Sequence, residues 1–253
     1  MRVISTIHRW WGVAFCLLFA MWFASGIVMH FVPFPARREA PLPGGLEAVR
    51  AAANPIEYDQ WTVAGDFDSD RPLTRIALND EAGTEIYVSA RSGGVVLTTT
   101  RGERLLNYIG SVAHWLYPTE LRHHKRVWNA LMWRLSLLAT VGAALGVLQG
   151  LIRLGTGPAH RGLQRCHHSC GLIFAPFILS WIFSGFLSMD EGLIPHGEVL
   201  FRVLHKLDFP PLSTHPVLRT AAIVSLCLCG LGFSLTGVIL AWRRVTNRSS
   251  AAG

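Results

Sequence analysis

Long apolar runs alternate with polar segments along the chain, and four of these runs are long enough to cross a bilayer. A helix rises about 1.5 Å per residue, so about 20 apolar residues span the hydrocarbon core. The runs predict transmembrane helices at residues 1–32, 129–153, 167–190 and 217–242. The pattern therefore predicts a mainly α, integral membrane protein with a four-helix transmembrane bundle.

The polar segment 33–128 has a different pattern, which predicts a small α+β unit over residues 45–105. "GLEAVRAAA" is helix-like, and "WTVAGDF", "LTRIALND" and "TEIYVSARSGGVVLTTT" alternate as strands do, with "NDEAG" and "SGG" as turns. "GERLLNYIGSVAHWLYP" predicts an amphipathic helix that ends at Pro118 and carries His114 back toward the membrane. The other polar segments are 154–166, 191–216 and 243–253.

The placement of charge predicts the orientation. Hydrophobic residues make up 51% of the chain and charged residues 15%, which excludes an ordinary soluble domain. All 16 acidic residues lie in segments 33–130 and 190–217. The N-terminus, the 153–167 loop and the C-terminal tail carry only basic charges: Arg2, Arg9, Arg153, Arg161, Arg165, Arg243, Arg244 and Arg248. By the positive-inside rule both termini are predicted to be cytoplasmic and segment 33–128 external.

The same charge placement argues against a nucleic-acid partner, because the basic residues are divided among membrane-flanking segments and do not form one patch. The first apolar run is also longer than the hydrophobic region of a signal peptide, so we expect it to be a retained span.

An internal repeat relates the first and third spans. Residues 7–31 match residues 166–190 without a gap. The identical pairs are His8/His167, Gly12/Gly171, Phe15/Phe174, Trp22/Trp181, Ser25/Ser184 and Gly26/Gly185. Five of the six pairs fall on one helical face, which is expected of a face turned toward a shared interior.

The later halves repeat at a second offset, where "AHWLYPTELRHHK" from position 113 aligns with "LHKLDFPPLSTHP" from position 204. The identical pairs are His114/His205, Leu116/Leu207, Leu121/Leu212, His124/His215, Gly146/Gly237 and Arg153/Arg244. The chain is therefore predicted to be a duplicated two-helix unit whose copies run parallel.

Histidines in register across the duplication predict a metal centre. Neutral imidazole is a common metal ligand, and a histidine at a span is expensive unless it has a partner. His8 and His167 are predicted to ligate one haem iron from both sides near the cytoplasmic face, and His114 and His205 a second one outside. Gly12 and Gly171, four residues after the inner histidines, would leave room for a flat macrocycle. Two axial histidines suit one-electron transfer.

Other interpretations of these residues stay open. The histidines could be interfacial anchors. His124 and His215 are also in register and could replace the outer pair, and His30 lacks a histidine counterpart because Met189 occupies that position. Arg134 could meet a haem propionate or extend to the membrane surface. The role of His168 is undefined.

The cysteines bear on cofactor type. "CHHSC" at 166–170 is a rival zinc or copper site, although no second cluster of this kind occurs in the sequence. No "CxxCH" motif is present, so any haem would be a noncovalent haem b. The external segments contain no cysteine, which excludes a disulfide framework there.

The ordered motifs resemble those of the PepSY-associated transmembrane (PepSY_TM) family. They are "IHRWWG", "EIYVSARSGGVV", "HWLYPTELR", "CHHSCGLIF" and "LHKLDFPPL", and together they cover nearly the whole chain. The resemblance implies relatedness to inner-membrane siderophore reductases that hold two b haems in a four-helix bundle. It also implies that His8, His114, His167 and His205 match the family's histidines, and that the external segment is PepSY-like.

Two hypotheses of function follow. In the first, the chain is a di-haem electron-transfer protein in a bacterial inner membrane. Its electrons come from quinol or a cytoplasmic reductase and reduce a periplasmic acceptor such as ferric siderophore or another metal complex. In the second, it is a haem-free, membrane-anchored PepSY sensor or regulatory protein. A metal permease is a weaker third possibility, because no acidic residue lies in the interior of a span.

Overall fold

The computed structural model describes residues 2–156, 162–189 and 195–249. The α-helices are α1 (Arg2–Phe31), α2 (Glu47–Ala52), α3 (Arg101–Asn107), α4 (Thr119–His123), α5 (Lys125–Thr156), α6 (Gly162–Ile173), α7 (Ala175–Ser188), α8 (Gly197–His205) and α9 (Pro216–Ser249). The strands are β1 (Pro55–Ile56), β2 (Leu73–Ala77), β3 (Glu85–Ser89) and β4 (Val95–Thr99). Arg161, Asp190 and Glu191, which belong to the predicted loops and the end of the third span, lie outside the described residues.

The chain divides into two compact units. A helical unit comprises Met1–Ile27 and Asn129–Gly253, and a sheet unit comprises Val28–Trp128. A mainly helical chain with a small antiparallel sheet is thus confirmed.

Three of the described helices are long and apolar enough to cross a membrane: Val3–Phe31, Lys125–Leu154 and Pro216–Arg244. The predicted third span differs, because it is broken into α6 and α7 with a bend of 66° between them. Pro176, near the start of α7, accounts for the break. A proline has no N–H to donate, and its ring clashes with the carbonyl four residues earlier. The expectation of one continuous helix at 167–190 is therefore wrong, and the pair counts as a span only if both parts are taken together.

Side chains from α1, α5, α7 and α9 form the core of the helical unit. The buried members are Phe23, Ala139, Ile178, Trp181, Ile182, Ile223 and Cys227. Phe23 lies against Trp181, with ring centroids 5.8 Å apart. It also lies against Gly230, where an added Cβ would be 2.5 Å from the Phe23 ring. Close approach at small residues is the usual way in which apolar helices pack in a membrane.

The sheet unit is built on a four-stranded antiparallel sheet in the order β1-β2-β3-β4. In β3, the side chains from Ile86 to Ser89 are all buried, so the strand is covered on both faces. One face packs in a cluster with Trp61 and Phe67, and the other packs against Leu42 and Leu46. Such double coverage lets a unit of this size bury a core without disulfides.

The prediction of a strand at 61–67 is wrong. This segment consists of turns and a short 3-10 helix, Gly65–Phe67. Asp59 accepts hydrogen bonds from the Trp61 and Thr62 amides, which starts a turn. The Arg71 guanidinium donates to the carbonyls of Thr62 and Ala64 at 2.9 and 3.2 Å. These carbonyls are satisfied by a side chain, so the segment needs no neighbouring strand.

Two further segments differ from expectation. The helix predicted to run to Pro118 begins as α3, continues as a π-helical turn at Tyr108–Val112, and gives way to a turn at residues 115–116. The predicted loop 191–216 contains α8.

Candidate functional site

A cavity of about 1060 Å³ lies within the helical unit. Ligand cavities are typically about 300–1,000 Å³, so this one could hold a large cofactor. His8 of α1 and His167 of α6 both line it. The inner histidines that the repeat put in register therefore face one space.

His8 packs against α5 at a glycine. An added Cβ on Gly146 would lie 2.7 Å from Cε1 of His8, so the imidazole occupies the space of the missing side chain. Trp11, one turn further on, lies against Gly142 and donates from Nε1 to the Leu138 carbonyl at 2.9 Å. The Nδ1 atom of His8 is buried without a hydrogen-bond partner among the described residues.

His167 packs against α9 in the corresponding way. An added Cβ on Gly237, the repeat partner of Gly146, would lie 3.5 Å from Cε1 of His167. The imidazole stacks on Phe233, with centroids 4.6 Å apart and planes at 15°. Its Nδ1 lies 2.7 Å from the Thr236 hydroxyl.

The Thr236 contact fixes the protonation of His167. The Thr236 hydroxyl donates its single hydrogen to the Phe233 carbonyl at 2.6 Å. It must then accept from His167, so the proton is on Nδ1 and Nε2 keeps its lone pair. This is the arrangement of a histidine whose second nitrogen is oriented to bind a metal.

The two glycines that follow the inner histidines differ from each other. An added Cβ on Gly12 would meet nothing within 4 Å, whereas one on Gly171 would be 2.9 Å from Phe233. Both glycines line the cavity. Gly12 thus borders open space, as its predicted role requires, while Gly171 makes room for an aromatic ring. The role of each toward a macrocycle stays a prediction.

His205 is the last residue of α8 and docks on α7. Its Nδ1 lies 3.1 Å from both the Trp181 carbonyl and the Ser184 hydroxyl. A carbonyl can only accept, so here too Nδ1 carries the proton and Nε2 is unprotonated. Burial lowers the pKa of His205 to about 4, which keeps the ring neutral. A Cβ added to Gly185 would lie 3.7 Å from the His205 ring. Three of the residues repeated from α1 therefore lie around this ring: Trp181, Ser184 and Gly185.

His114 belongs to the sheet unit and is half-buried. Two residues after it, Leu116 has a φ of 46°, and Leu207, two residues after His205, has a φ of 49°. Left-handed backbone costs a residue other than glycine about 1 kcal/mol or more. The duplication has therefore kept an unfavourable backbone turn directly beyond each outer histidine.

The alternative ligands have different surroundings. His124 and His215 are exposed, and Nδ1 of His215 lies 3.0 Å from the Pro211 carbonyl. His30 is half-buried beside Phe31, with ring centroids 5.2 Å apart. His168 lines the cavity, and Arg134 is exposed on α5. The choice between the two outer pairs stays a prediction.

The cavity has a strongly positive lining. The arginines that line it are Arg9, Arg153, Arg243 and Arg244. No acidic side chain lines it among the described residues. Unbalanced positive charge beside an apolar wall attracts anionic ligands, carboxylates and phosphates in particular.

The rival cluster is less complete. Sγ of Cys166 and Sγ of Cys170 lie 3.9 Å apart, and all five cysteines are free thiols. Over the described part of the chain, no group of three or more histidine, cysteine or acidic side chains is placed to hold a metal ion.

Several of these site residues were not singled out from the sequence. Gly146, Gly237, Arg153 and Arg244 were visible as repeated pairs, but only the fold shows that they face the inner histidines or the cavity. Thr236 had no such signal, because Leu145 occupies the matching position in the first repeat.

These features define a helix-rich chain with membrane-length helices and a cationic, histidine-lined cavity. Comparisons with models of protein families, with characterised proteins and with solved structures find no match.

Proposed function

We propose that the chain is a multi-pass protein of a bacterial inner membrane that transfers electrons through two b haems to a periplasmic acceptor. The acceptor would be a ferric siderophore or another oxidised metal complex. One observation carries the proposal: His8 and His167, one from each repeat, line the same cavity.

The residues around the cavity suit a haem. Nδ1 of His8 is a buried polar atom without a hydrogen-bond partner in the described structure. Such an atom costs free energy unless a bound ligand changes the surroundings of the ring. His167 offers Nε2, because Thr236 engages its other nitrogen. Both imidazoles would hold the haem iron, and the haem would supply one-electron chemistry.

The arginines would bind the carboxylates of the macrocycle. Arg153 and Arg244 are repeat partners, and both line the cavity. Arginine binds carboxylate through two parallel hydrogen bonds, which sets orientation as well as affinity. The aromatic rings of Trp11, Phe19 and Phe233 line the remaining wall.

Haem supplies a one-electron couple when bound, and the protein sets its potential. The His167–Thr236 hydrogen bond would make the imidazole a stronger donor and favour ferric iron. The cationic lining acts in the opposite direction, because nearby positive charge favours the reduced state. The proposed second haem rests on the repeat of His114 and His205 and on the unprotonated Nε2 of His205.

The test is an optical spectrum of the purified protein in mild detergent, with and without dithionite. We expect a sharp α band and the Soret band of reduced six-coordinate haem. Colourless protein after expression with ample haem would overturn the proposal and favour the haem-free sensor.

The pairing has its own test. His8→Ala and His167→Ala should each remove the same one of two haems, as measured by haem content and redox titration. His123→Ala, which changes an exposed histidine that belongs to neither candidate ligand pair, is the matched control and should keep both. Loss of different haems from the first two variants would refute the pairing.

A further inference from the structure

In segment 101–113 of the sheet unit, apolar side chains are exposed and polar side chains are buried, the reverse of the usual arrangement. Leu105 and Ile109 are 60% and 61% exposed, whereas Asn107 and Ser111 are fully buried. Two steps along a helix turn the direction of a side chain by about 200°, so these pairs lie on opposite faces. A helix on the surface of a soluble domain has its apolar face inward and its polar face in water. Here the polar face points into the protein.

The buried polar face is fully bonded. The Asn107 amide donates to the Glu103 carbonyl at 3.0 Å and to the Pro33 carbonyl at 3.2 Å. The Ser111 hydroxyl donates to the Asn107 side-chain oxygen at 2.8 Å. These groups are stable where they are, so the outward direction of the leucines and isoleucine is part of the fold.

This helical segment packs on the end of a membrane-length helix. An added Cβ on Gly110 would lie 3.0 Å from Val28 and 3.5 Å from Met29, both in the last turns of α1. Pro33, which receives the Asn107 bond, follows α1 by two residues. The apolar face therefore lies beside the end of α1. Leu106 and Tyr108 enlarge this face, with 43% and 50% of their surface exposed.

We propose that residues 101–113 form an interfacial element whose apolar face, Leu105, Leu106, Tyr108 and Ile109, is immersed in the outer leaflet of the bilayer. The element anchors the sheet unit against the membrane surface. In lipid, apolar side chains face outward and polar ones inward, which is the distribution observed. Tyr108 suits the headgroup level, because its ring is apolar and its hydroxyl is polar. This inference rests on the proposed insertion of α1 in a membrane and is independent of haem.

The experiment measures the depth of nitroxide labels on the full chain in nanodiscs of phosphatidylethanolamine and phosphatidylglycerol. Labels are attached to p-acetylphenylalanine, introduced singly at Leu105, Ile109, Leu17 or Glu81, so the native cysteines remain. Leu17 is an exposed position within α1 and reports lipid. Glu81 is an exposed turn residue of the sheet unit and reports water. Line broadening by oxygen indicates lipid, and broadening by a water-soluble nickel chelate indicates solvent.

The expected result is that Leu105 and Ile109 behave like Leu17, with loss of the nickel effect that Glu81 shows. If Leu17 lies in lipid but Leu105 and Ile109 are broadened by nickel, the inference is overturned and membrane insertion stands. Protection of both positions from oxygen and nickel would mean that protein covers the face, which also overturns it. A Leu17 label in water would refute membrane insertion itself. If a labelled variant fails to fold, Leu105→Cys or Ile109→Cys, in a chain whose native cysteines are replaced by alanine, gives the same reading.

Discussion

At the scale of single residues, the two histidines of the cavity differ in what holds them. His167 is fixed by Thr236, whose hydroxyl accepts from Nδ1. The matching position in the first repeat is Leu145, and Nδ1 of His8 has no hydrogen-bond partner in the described structure. The duplication has therefore kept both imidazoles, but a side-chain hydroxyl bonds to only one of them.

Thr236→Val should raise the midpoint potential of the haem that we propose His167 binds. The variant keeps the shape of the side chain and removes a hydrogen bond worth about 1 kcal/mol, equivalent to about 40 mV for one electron. Redox titration measures the shift. Ser234→Ala is the control, because Ser234 bonds only to the Gly230 carbonyl of its own helix among the described residues. An unchanged potential in Thr236→Val would show that the hydroxyl does not tune the iron.

Gly146→Ala and Gly237→Ala should have different effects although the glycines are repeat partners. The new methyl group at Gly146 would lie 2.7 Å from His8 and force that ring to move, which costs about 1–3 kcal/mol. At Gly237 the distance to His167 is 3.5 Å, an ordinary contact. Alanine is also the better helix former, so this variant should be neutral or slightly more stable.

The measurements for this pair are the thermal unfolding temperature in detergent and the haem content. Gly146→Ala should lower both, while Gly12→Ala, which meets no atom within 4 Å, controls for apo-protein stability. Equal losses for Gly146→Ala and Gly237→Ala would contradict the packing described.

At the scale of elements, the two segments that match in the internal repeat have different shapes. α1 is one continuous helix, whereas the matching segment is divided into α6 and α7 at Phe174. Pro176 corresponds to Leu17 of α1, and this single difference removes a backbone hydrogen bond and adds a clash. Apolar periodicity could predict a span there, but not its bend.

In the sheet unit, the Arg71 side chain donates to backbone carbonyls that would otherwise need a neighbouring strand. Arg71→Met should destabilise the unit by about 3 kcal/mol, because the Thr62 carbonyl would lose the guanidinium donor and the Ala64 carbonyl would keep only the Phe67 amide. Hydrogen exchange of the β2 and β3 amides should speed up accordingly. Arg91→Met, at an exposed arginine with one long bond to a carbonyl, should leave exchange unchanged. Equal exchange in the two variants would show that Arg71 does not hold the segment.

At the scale of the whole molecule, charge divides the chain into two sides. The acidic residues lie in the external segments of the predicted topology or, for Asp190, at the outer end of a span, and the cavity lining is basic. A green fluorescent protein fused to the C-terminus should therefore fluoresce in the cytoplasm. Alkaline phosphatase inserted in the Asp80–Gly83 turn should be active outside. The reverse pair of results would contradict the orientation.

Much of this architecture could be predicted from local properties. Apolar length predicted the long helices, alternation predicted β2, β3 and β4, and the repeat singled out His8 and His167, which line one cavity. The strand expected at 61–67 failed because alternation of residue types suggested one, whereas Asp59 and Arg71 satisfy the backbone there instead. Alternation in the sequence does not report which group satisfies each backbone hydrogen bond.

The sequence by itself determined the apolar helices, the charge asymmetry and the duplicated histidines, because each depends on residue type and spacing along one chain. Only the tertiary structure decided that Gly146 and Gly237 receive the inner imidazoles and that Thr236 sets the protonation of His167. It also decided that the 101–113 helix turns its leucines outward. These outcomes depend on which helices meet and at what distance, and contacts between residues far apart in the chain leave no periodic signal in it.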